Sequence, residues 1–72
     1  STSRSKQVSL ARQVAMYLMK DMTSNPLADI ARYFNKKDHS TVVYAVQKVQ
    51  QMTMDDYSFK QKLQSIKGEL LN

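Results

Sequence analysis

The residues with the most distinctive chemistry lie together in the middle of the chain, in the run Asp38-His39-Ser40-Thr41. This run offers a carboxylate, an imidazole and two hydroxyl groups directly after Lys36 and Lys37. Such groups suit either catalysis or recognition of a ligand by hydrogen bonds. The chain has one His, no Cys, one Gly, and neither a nucleophile paired with a base nor a glycine-rich phosphate loop. We therefore expect recognition without catalysis, and neither a metal nor a cofactor in this domain.

The segments on either side of this run have the periodicity of α-helices. Apolar residues at helical spacing are Leu27, Ile30, Ala31 and Phe34 upstream, and Val42, Val43, Ala45, Val46 and Val49 downstream. The polar corner Asn35-Lys36-Lys37 separates them, and Asp38 is a good N-cap for the second helix. Residues 26–51 therefore predict a helix-turn-helix, whose second helix would present its first turn to the major groove of DNA.

The remaining segments must support this unit. With 72 residues, one Gly and one Pro, the chain predicts a single all-α domain, a small helical bundle. Residues 1–7 are polar and predict a flexible arm, residues 8–22 a scaffold helix, and residues 54–71 a closing helix capped near Thr53. On the scaffold helix the apolar face is expected to include Leu10, Ala11, Val14, Ala15, Leu18 and Met22, with Arg12, Gln13, Met16 and Lys20 opposite.

Charge is distributed unevenly along the chain. Residues 1–48 hold eight Lys and Arg against three Asp, whereas residues 49–72 hold three Lys against three acids. The whole net charge of +5 thus lies on the part that contains the predicted helix-turn-helix. A localised positive excess is typical of nucleic-acid binders, although a merely soluble basic surface is the alternative. No apolar run is long enough to span a membrane, and the absence of Cys fits the cytoplasm.

Three segments together resemble one protein family. They are Ala11-Arg12-Gln13-Val14-Ala15-Met16-Tyr17-Leu18, Ile30-Ala31-Arg32-Tyr33-Phe34 and Asp38-His39-Ser40-Thr41-Val42. In order and spacing, residues 4–52 resemble the C-terminal DNA-binding domain (domain IV) of the bacterial replication initiators of the DnaA family. The resemblance implies a Trp-repressor-like helix-turn-helix that binds DnaA boxes, consensus TTATNCACA, in duplex DNA of the replication origin. It also implies a cytoplasmic, nucleoid-associated protein, monomeric as this fragment, whose ATP site lies in another domain of the initiator.

The resemblance also implies a role for particular residues. Asp38 would accept a hydrogen bond from a cytosine amino group, His39 would pack on thymine methyl groups, and Ser40 would touch a base edge. Arg4 would reach into the minor groove, and Arg12 would join the base contacts. The implied contacts to phosphate or nearby backbone are Gln13, Lys20, Leu27, Ala28, Lys37, Thr41 and Lys48, with Leu27 and Ala28 acting through backbone N–H groups at a helix N-terminus.

The corner before Asp38 departs from the family pattern. The family commonly has Gly-Gly-Arg where this chain has Asn35-Lys36-Lys37. Asn35 tolerates a left-handed conformation, but Lys36 at the second Gly position predicts a tighter or differently shaped turn. Lys37 keeps the charge of Arg without its planar fork. Ser40 in place of the usual Thr lacks a methyl group that could pack on thymine.

Each of these residues also has a purely structural interpretation. Asp38 could serve only as an N-cap, Arg12 and Lys20 could form a solvated face, and Arg4 could belong to a disordered arm. We expect a solvated face for the lysines of the closing helix, namely Lys60, Lys62 and Lys67. Two other functions stay open: a transcription regulator that dimerises on a palindrome, and a protein–protein adaptor that uses the C-terminal helix.

Overall fold

A computed structural model describes residues 2–72 and contains four helices and no strand in that part of the chain. They are α1 (Thr2–Met22), α2 (Leu27–Tyr33), α3 (Ser40–Asp55) and α4 (Tyr57–Leu71). The largest helix–helix contact joins α1 and α3, and both α2 and α4 also pack against α3. The predicted all-α bundle is thus confirmed for residues 2–72. No helix within these residues is long and apolar enough to cross a membrane.

The core lies where α1, α2 and α3 meet. Ile30, Val42 and Ala45 are fully buried, as their helical spacing predicts. Met16 is the exception, because it was expected on the outer face of α1 and is only 2% exposed. Ala11, expected to face the core, is exposed. The buried side of α1 is therefore rotated towards Met16, a long flexible side chain that fills an irregular junction better than Ala does.

The beginning of α1 corrects the predicted flexible arm of residues 1–7. Residues 2–7 form the first turns of α1 and continue the predicted scaffold helix, residues 8–22, without a break. Ser1 lies outside the described residues. No Gly or Pro interrupts this segment. Once a helix exists, each further residue adds one hydrogen bond at little cost, so the helix extends towards the N-terminus.

The boundary between α3 and α4 also differs from the predicted one. Instead of ending near residue 51, α3 continues to Asp55, and the predicted cap Thr53 donates its hydroxyl to the Gln50 carbonyl inside the helix (2.7 Å). Asp56 is the true N-cap of α4, because its Oδ1 accepts a hydrogen bond from the Phe59 N–H (3.1 Å). The closing helix therefore begins at Tyr57 and not at residue 54.

The corner after α2 requires only one unusual backbone conformation. Asn35 has φ of 59°, the only positive φ at a non-glycine among residues 2–72. The N–H of Lys36 donates to the Ala31 carbonyl (2.8 Å) and the N–H of Asn35 to the Arg32 carbonyl (3.0 Å). This pair of bonds is a Schellman motif, which satisfies carbonyl groups at the end of the helix. Lys36 itself avoids the left-handed region, so a glycine is not needed at that position.

One lysine of α4 is not part of a solvated face, contrary to expectation. Lys67 Nζ lies 2.8 Å from Asp21 Oδ2 and donates a hydrogen bond to Tyr17 Oη (3.1 Å), joining α4 to α1. The hydrogen bond to Asp21, followed by that to Tyr17, raises the pKa of Lys67 above its ordinary value of 10.5. The ammonium form therefore stabilises the fold.

Replacing Asn35 with Ala should destabilise the protein by about 1 kcal/mol, because a Cβ without a short polar group disfavours the left-handed region. Asn35→Gly should be at least as stable as the wild type. Thermal unfolding followed by circular dichroism should show Asn35→Ala lower by roughly 4–8 °C. Lys36→Ala, with no positive φ to accommodate, is the control and should change the midpoint little. Equal midpoints for the Ala and Gly variants at position 35 would contradict this account.

Removing the Lys67 ammonium should cost about 0.5 kcal/mol at neutral pH, a small value because the pair is partly exposed. Its folded-state pKa is raised, so this stability is fully present below pH 10.5 and is lost as the pH rises through the folded-state pKa. Unfolding midpoints of the wild type and Lys67→Gln should therefore differ at pH 8 and converge at strongly alkaline pH. The exposed Lys62→Gln serves as control. A difference that persists at alkaline pH would show that packing, and not charge, is responsible.

Candidate nucleic-acid interface

Asp38 lies at the entrance to α3 but not at the position predicted for it. The helix begins at Ser40, so His39 occupies the N-cap position and makes no side-chain capping bond. Asp38 Oδ1 instead accepts a hydrogen bond from the Ser40 N–H (2.9 Å) across a two-residue turn. The Asp38 side chain is 74% exposed. Because a carboxylate accepts several hydrogen bonds, this one leaves Asp38 able to accept another from outside the protein.

The next four residues, His39 to Val42, show a gradient from solvent to core. The His39 side chain is 59% exposed, with Nδ1 4.0 Å from Asp38 Oδ1. Ser40 is exposed, Thr41 is half-buried and Val42 is fully buried. The side chains of Asp38, His39 and Ser40 are thus accessible together at one end of α3.

A shallow groove brings this end of α3 together with the corner and with α2. It is lined by Ala28, Arg32, Asn35, Lys36, Lys37, Asp38 and His39. Four of these were predicted as site residues, whereas Arg32, Asn35 and Lys36 were not. Arg32 follows Ala28 by four residues, so helical spacing could have placed it there, and its guanidinium pairs with Asp29. The groove therefore carries three cationic side chains around the Asp38 carboxylate.

Arg4 and Arg12 line a second hollow, together with Ser5, Val8 and Ser9. Because residues 2–7 are helical, the two arginines are carried by one rigid element, about 12 Å apart along its axis. Arg4 is thus not on a flexible arm, as expected from the sequence. Its position is set by the direction of α1.

The predicted phosphate contacts lie in several places. Lys20 and Leu27 line one hollow with residues of α3, and the Leu27 and Ala28 N–H groups lie in the first turn of α2, where a helix leaves N–H groups unpaired. Gln13 is partly buried, and its Oε1 is buried without a hydrogen-bond partner. Lys48 lines a groove between α1 and α3 with Lys6, which was not predicted.

The fold and these surfaces can be compared with known proteins. A family model described as the bacterial dnaA protein helix-turn-helix matches residues 1–49. Relatives described as chromosomal replication initiator protein DnaA include that of Streptococcus mutans, 43% identical over 70 residues, and that of Streptococcus uberis, 40% identical over 70 residues. Each alignment covers 97% of this chain and 16% of the relative, so the chain spans about one-sixth of the length of these proteins. No solved structure matches the chain.

The family match includes α1, α2, the corner that follows α2 and the first part of α3, and it spans every residue predicted to contact DNA. By this match and by the identity to the streptococcal initiators, the chain belongs to the family of bacterial DnaA helix-turn-helix domains.

Proposed function

We propose that this chain is the DNA-reading module of a bacterial replication initiator and binds DnaA boxes of the origin in duplex DNA. The observation that carries the proposal is the accessible run Asp38-His39-Ser40 at the start of α3, within a chain of the DnaA helix-turn-helix family. In helix-turn-helix proteins this end of the second helix reaches base edges in the major groove. The domain itself performs no chemistry, and ATP is bound elsewhere in the initiator.

Direct readout would come from the three exposed side chains. The free acceptor capacity of Asp38 suits the amino group of cytosine, which is a hydrogen-bond donor in the major groove. The His39 ring would pack on thymine methyl groups, and the Ser40 hydroxyl would meet a base edge. Phosphates repel a carboxylate. Asp38 nevertheless shares its groove with Arg32, Lys36 and Lys37, and a contact with a base instead of a phosphate would account for its position. Asp38 would then contribute specificity, and the surrounding cations affinity.

The remaining contacts would position the domain on the DNA. Phosphate contacts fix register and carry much of the affinity of a single recognition helix. Lys20, Lys37, Thr41 and Lys48, with Gln13 and the Leu27 and Ala28 backbone, would supply them. Arg4 and Arg12 share one hollow, so α1 would carry both arginines to the adjacent minor groove and nearby bases. This would place α1 along the sugar–phosphate backbone.

A dimeric transcription regulator is the second candidate function. It is favoured by exposed apolar residues at the end of α4, where Leu70 is 61% and Leu71 77% exposed beside a hollow lined by Leu18, Met19 and Met22. A regulator of this kind would dimerise through such a surface and bind a palindrome. Sedimentation of the free domain distinguishes the two functions, since the initiator module is expected to be monomeric. Other expectations for the intact initiator are a cytoplasmic, nucleoid-associated location and contacts with its other domains.

Binding to a duplex that contains TTATCCACA should exceed binding to a scrambled duplex by tenfold or more, about 1.4 kcal/mol. The preference should persist when salt is raised from low to moderate concentration, because base contacts depend less on counterion release than phosphate contacts do. Fluorescence anisotropy of labelled duplexes measures both affinities. Equal affinities that vanish together with added salt would leave only phosphate attraction, and the proposed base readout would fail.

Asp38→Asn should keep the bond from the Ser40 N–H and lose the charged acceptor. We expect discrimination between the cognate duplex and one with the contacted cytosine replaced by thymine to fall by about 1–3 kcal/mol. Glu69→Gln is the matched control, since it removes one negative charge from the exposed face of α4. Discrimination in this control should stay at the wild-type value. If Asp38→Asn keeps full discrimination, Asp38 serves only the turn.

A further inference from the structure

The groove between α1 and α3 joins two lysines from different helices. Lys6, Ser9 and Leu10 line it from α1, and Lys48 and Met52 line it from α3. Ser9 and Leu10 follow Lys6 by three and four positions, and Met52 follows Lys48 by four, so each set lies on one side of its helix. Leu10 and Met52 are half-buried and form an apolar floor, while Ser9 contributes a hydroxyl group. The groove thus combines two ammonium groups and a hydroxyl donor above apolar side chains.

Helical structure at the N-terminus makes this arrangement possible. Lys6 lies in the second turn of α1, in the segment expected to be an arm, and is therefore held at the side of α3. The α1–α3 contact is the largest between helices in residues 2–72. Lys48 lies two turns after Ser40 on α3, half-buried, so the groove lies along the same helix whose first turn is proposed to read bases. Its distance from that turn is about 12 Å along the helix axis.

No acidic residue lines this groove. Among residues 3–72, Asp21 pairs with Lys67 and Asp29 with Arg32, the Asp38 carboxylate lies 4.0 Å from His39, and none of these contacts involves Lys6 or Lys48. Asp55, nearly one turn beyond Met52, accepts hydrogen bonds from Gln51 at both carboxylate oxygens (3.1 Å each). The two lysines thus share a groove that holds no acidic partner for either ammonium group, and an anion that enters the groove would supply one.

We propose that Lys6 and Lys48 together bind one backbone phosphate of duplex DNA, with the Ser9 hydroxyl as a third donor. This inference rests on the proposed DNA binding and assigns Lys6 a role in it. A phosphodiester is the anion that fits: it carries one negative charge, offers two free oxygens to two ammonium groups, and is present beside any helix that lies in the major groove. Lys6 is thus a phosphate contact supplied by α1 in addition to its two arginines, whose hollow adjoins this groove at Ser9.

The test is the salt dependence of duplex binding by Lys6→Gln, Lys48→Gln and the double variant, with Lys62→Gln on α4 as the control of equal charge. Each groove variant should weaken binding to cognate and scrambled duplexes alike. Loss of one phosphate lowers the slope of log K against log salt by about 0.9, which is roughly eightfold in affinity at 0.1 M salt. Because one phosphate is shared, the double variant should lose about 0.9 in slope and not about 1.8. The free variants should melt close to the wild-type temperature, because neither lysine has an ion pair to lose, whereas a structural role for these lysines would lower it.

A methylphosphonate scan of the duplex locates the contact. One neutral substitution should abolish the effects of both Lys6→Gln and Lys48→Gln, while substitutions at other phosphates leave both effects intact. If Lys6→Gln behaves like Lys62→Gln, or if the two lysines respond to different phosphates, the shared contact is overturned. Failure of the DNA-reading proposal has a separate signature, because the wild type would then fail to prefer the cognate duplex at all.

Discussion

The geometry of the proposed recognition surface depends on the left-handed turn at Asn35. A seven-residue helix such as α2 is too short to persist alone, so its stability must come from packing and from its ends. Ile30 and Ala31 bury one side of it, and the Schellman bonds of Asn35 and Lys36 satisfy the carbonyls at its end. The chain then reaches Ser40 within four residues. The polar run before α3 is therefore fixed at both ends. The hydrogen-bonded end of α2 fixes one, and the buried Val42 fixes the other.

The distribution of charge follows a related division between folding and binding. On the side of α4, Lys67 has partners in Asp21 and Tyr17, and this cation contributes to the fold. On the other surfaces, cations line grooves: Arg32, which pairs with Asp29, lies with Lys36 and Lys37 in the groove of Asp38, and Lys6 lies with Lys48 between α1 and α3. A local excess of positive charge of this kind attracts a polyanion to the surface.

The sequence predicted the parts of the fold that are governed by local rules. Helical spacing placed Ile30, Val42 and Ala45 in the core, and polar residue types located the corner. It did not predict the orientation of Met16, because the buried side of α1 is decided by where α2 and α3 lie. The prediction of a cap at Thr53 was wrong for another reason. A hydroxyl group that can cap a helix can also donate a hydrogen bond to a carbonyl inside a helix, and the packing of α3 decides which of the two occurs.

The candidate site was predictable to a similar extent. Residue types and family resemblance predicted Asp38, His39 and Ser40 as base contacts; this stays a prediction, and the structure leaves all three accessible. Lys6 was missed because it was assigned to an arm, and only a helix that begins at Thr2 brings it beside Lys48. That residues 42 positions apart line one groove cannot be derived from spacing along either helix. It follows from the crossing of α1 and α3.

Asp38 serves both the folding of the domain and its proposed binding to DNA. Its carboxylate holds the Ser40 N–H at the start of α3 and, in the proposed function, also accepts a hydrogen bond from a base. A residue that orders the first turn arrives at the DNA already oriented, so less side-chain entropy is lost when the base contact forms. This reduction in entropy loss does not apply to the lysines, because their long side chains become ordered only when they bind a phosphate. Specificity would therefore rest on a few preorganised groups near Asp38, while affinity is spread over many flexible cations.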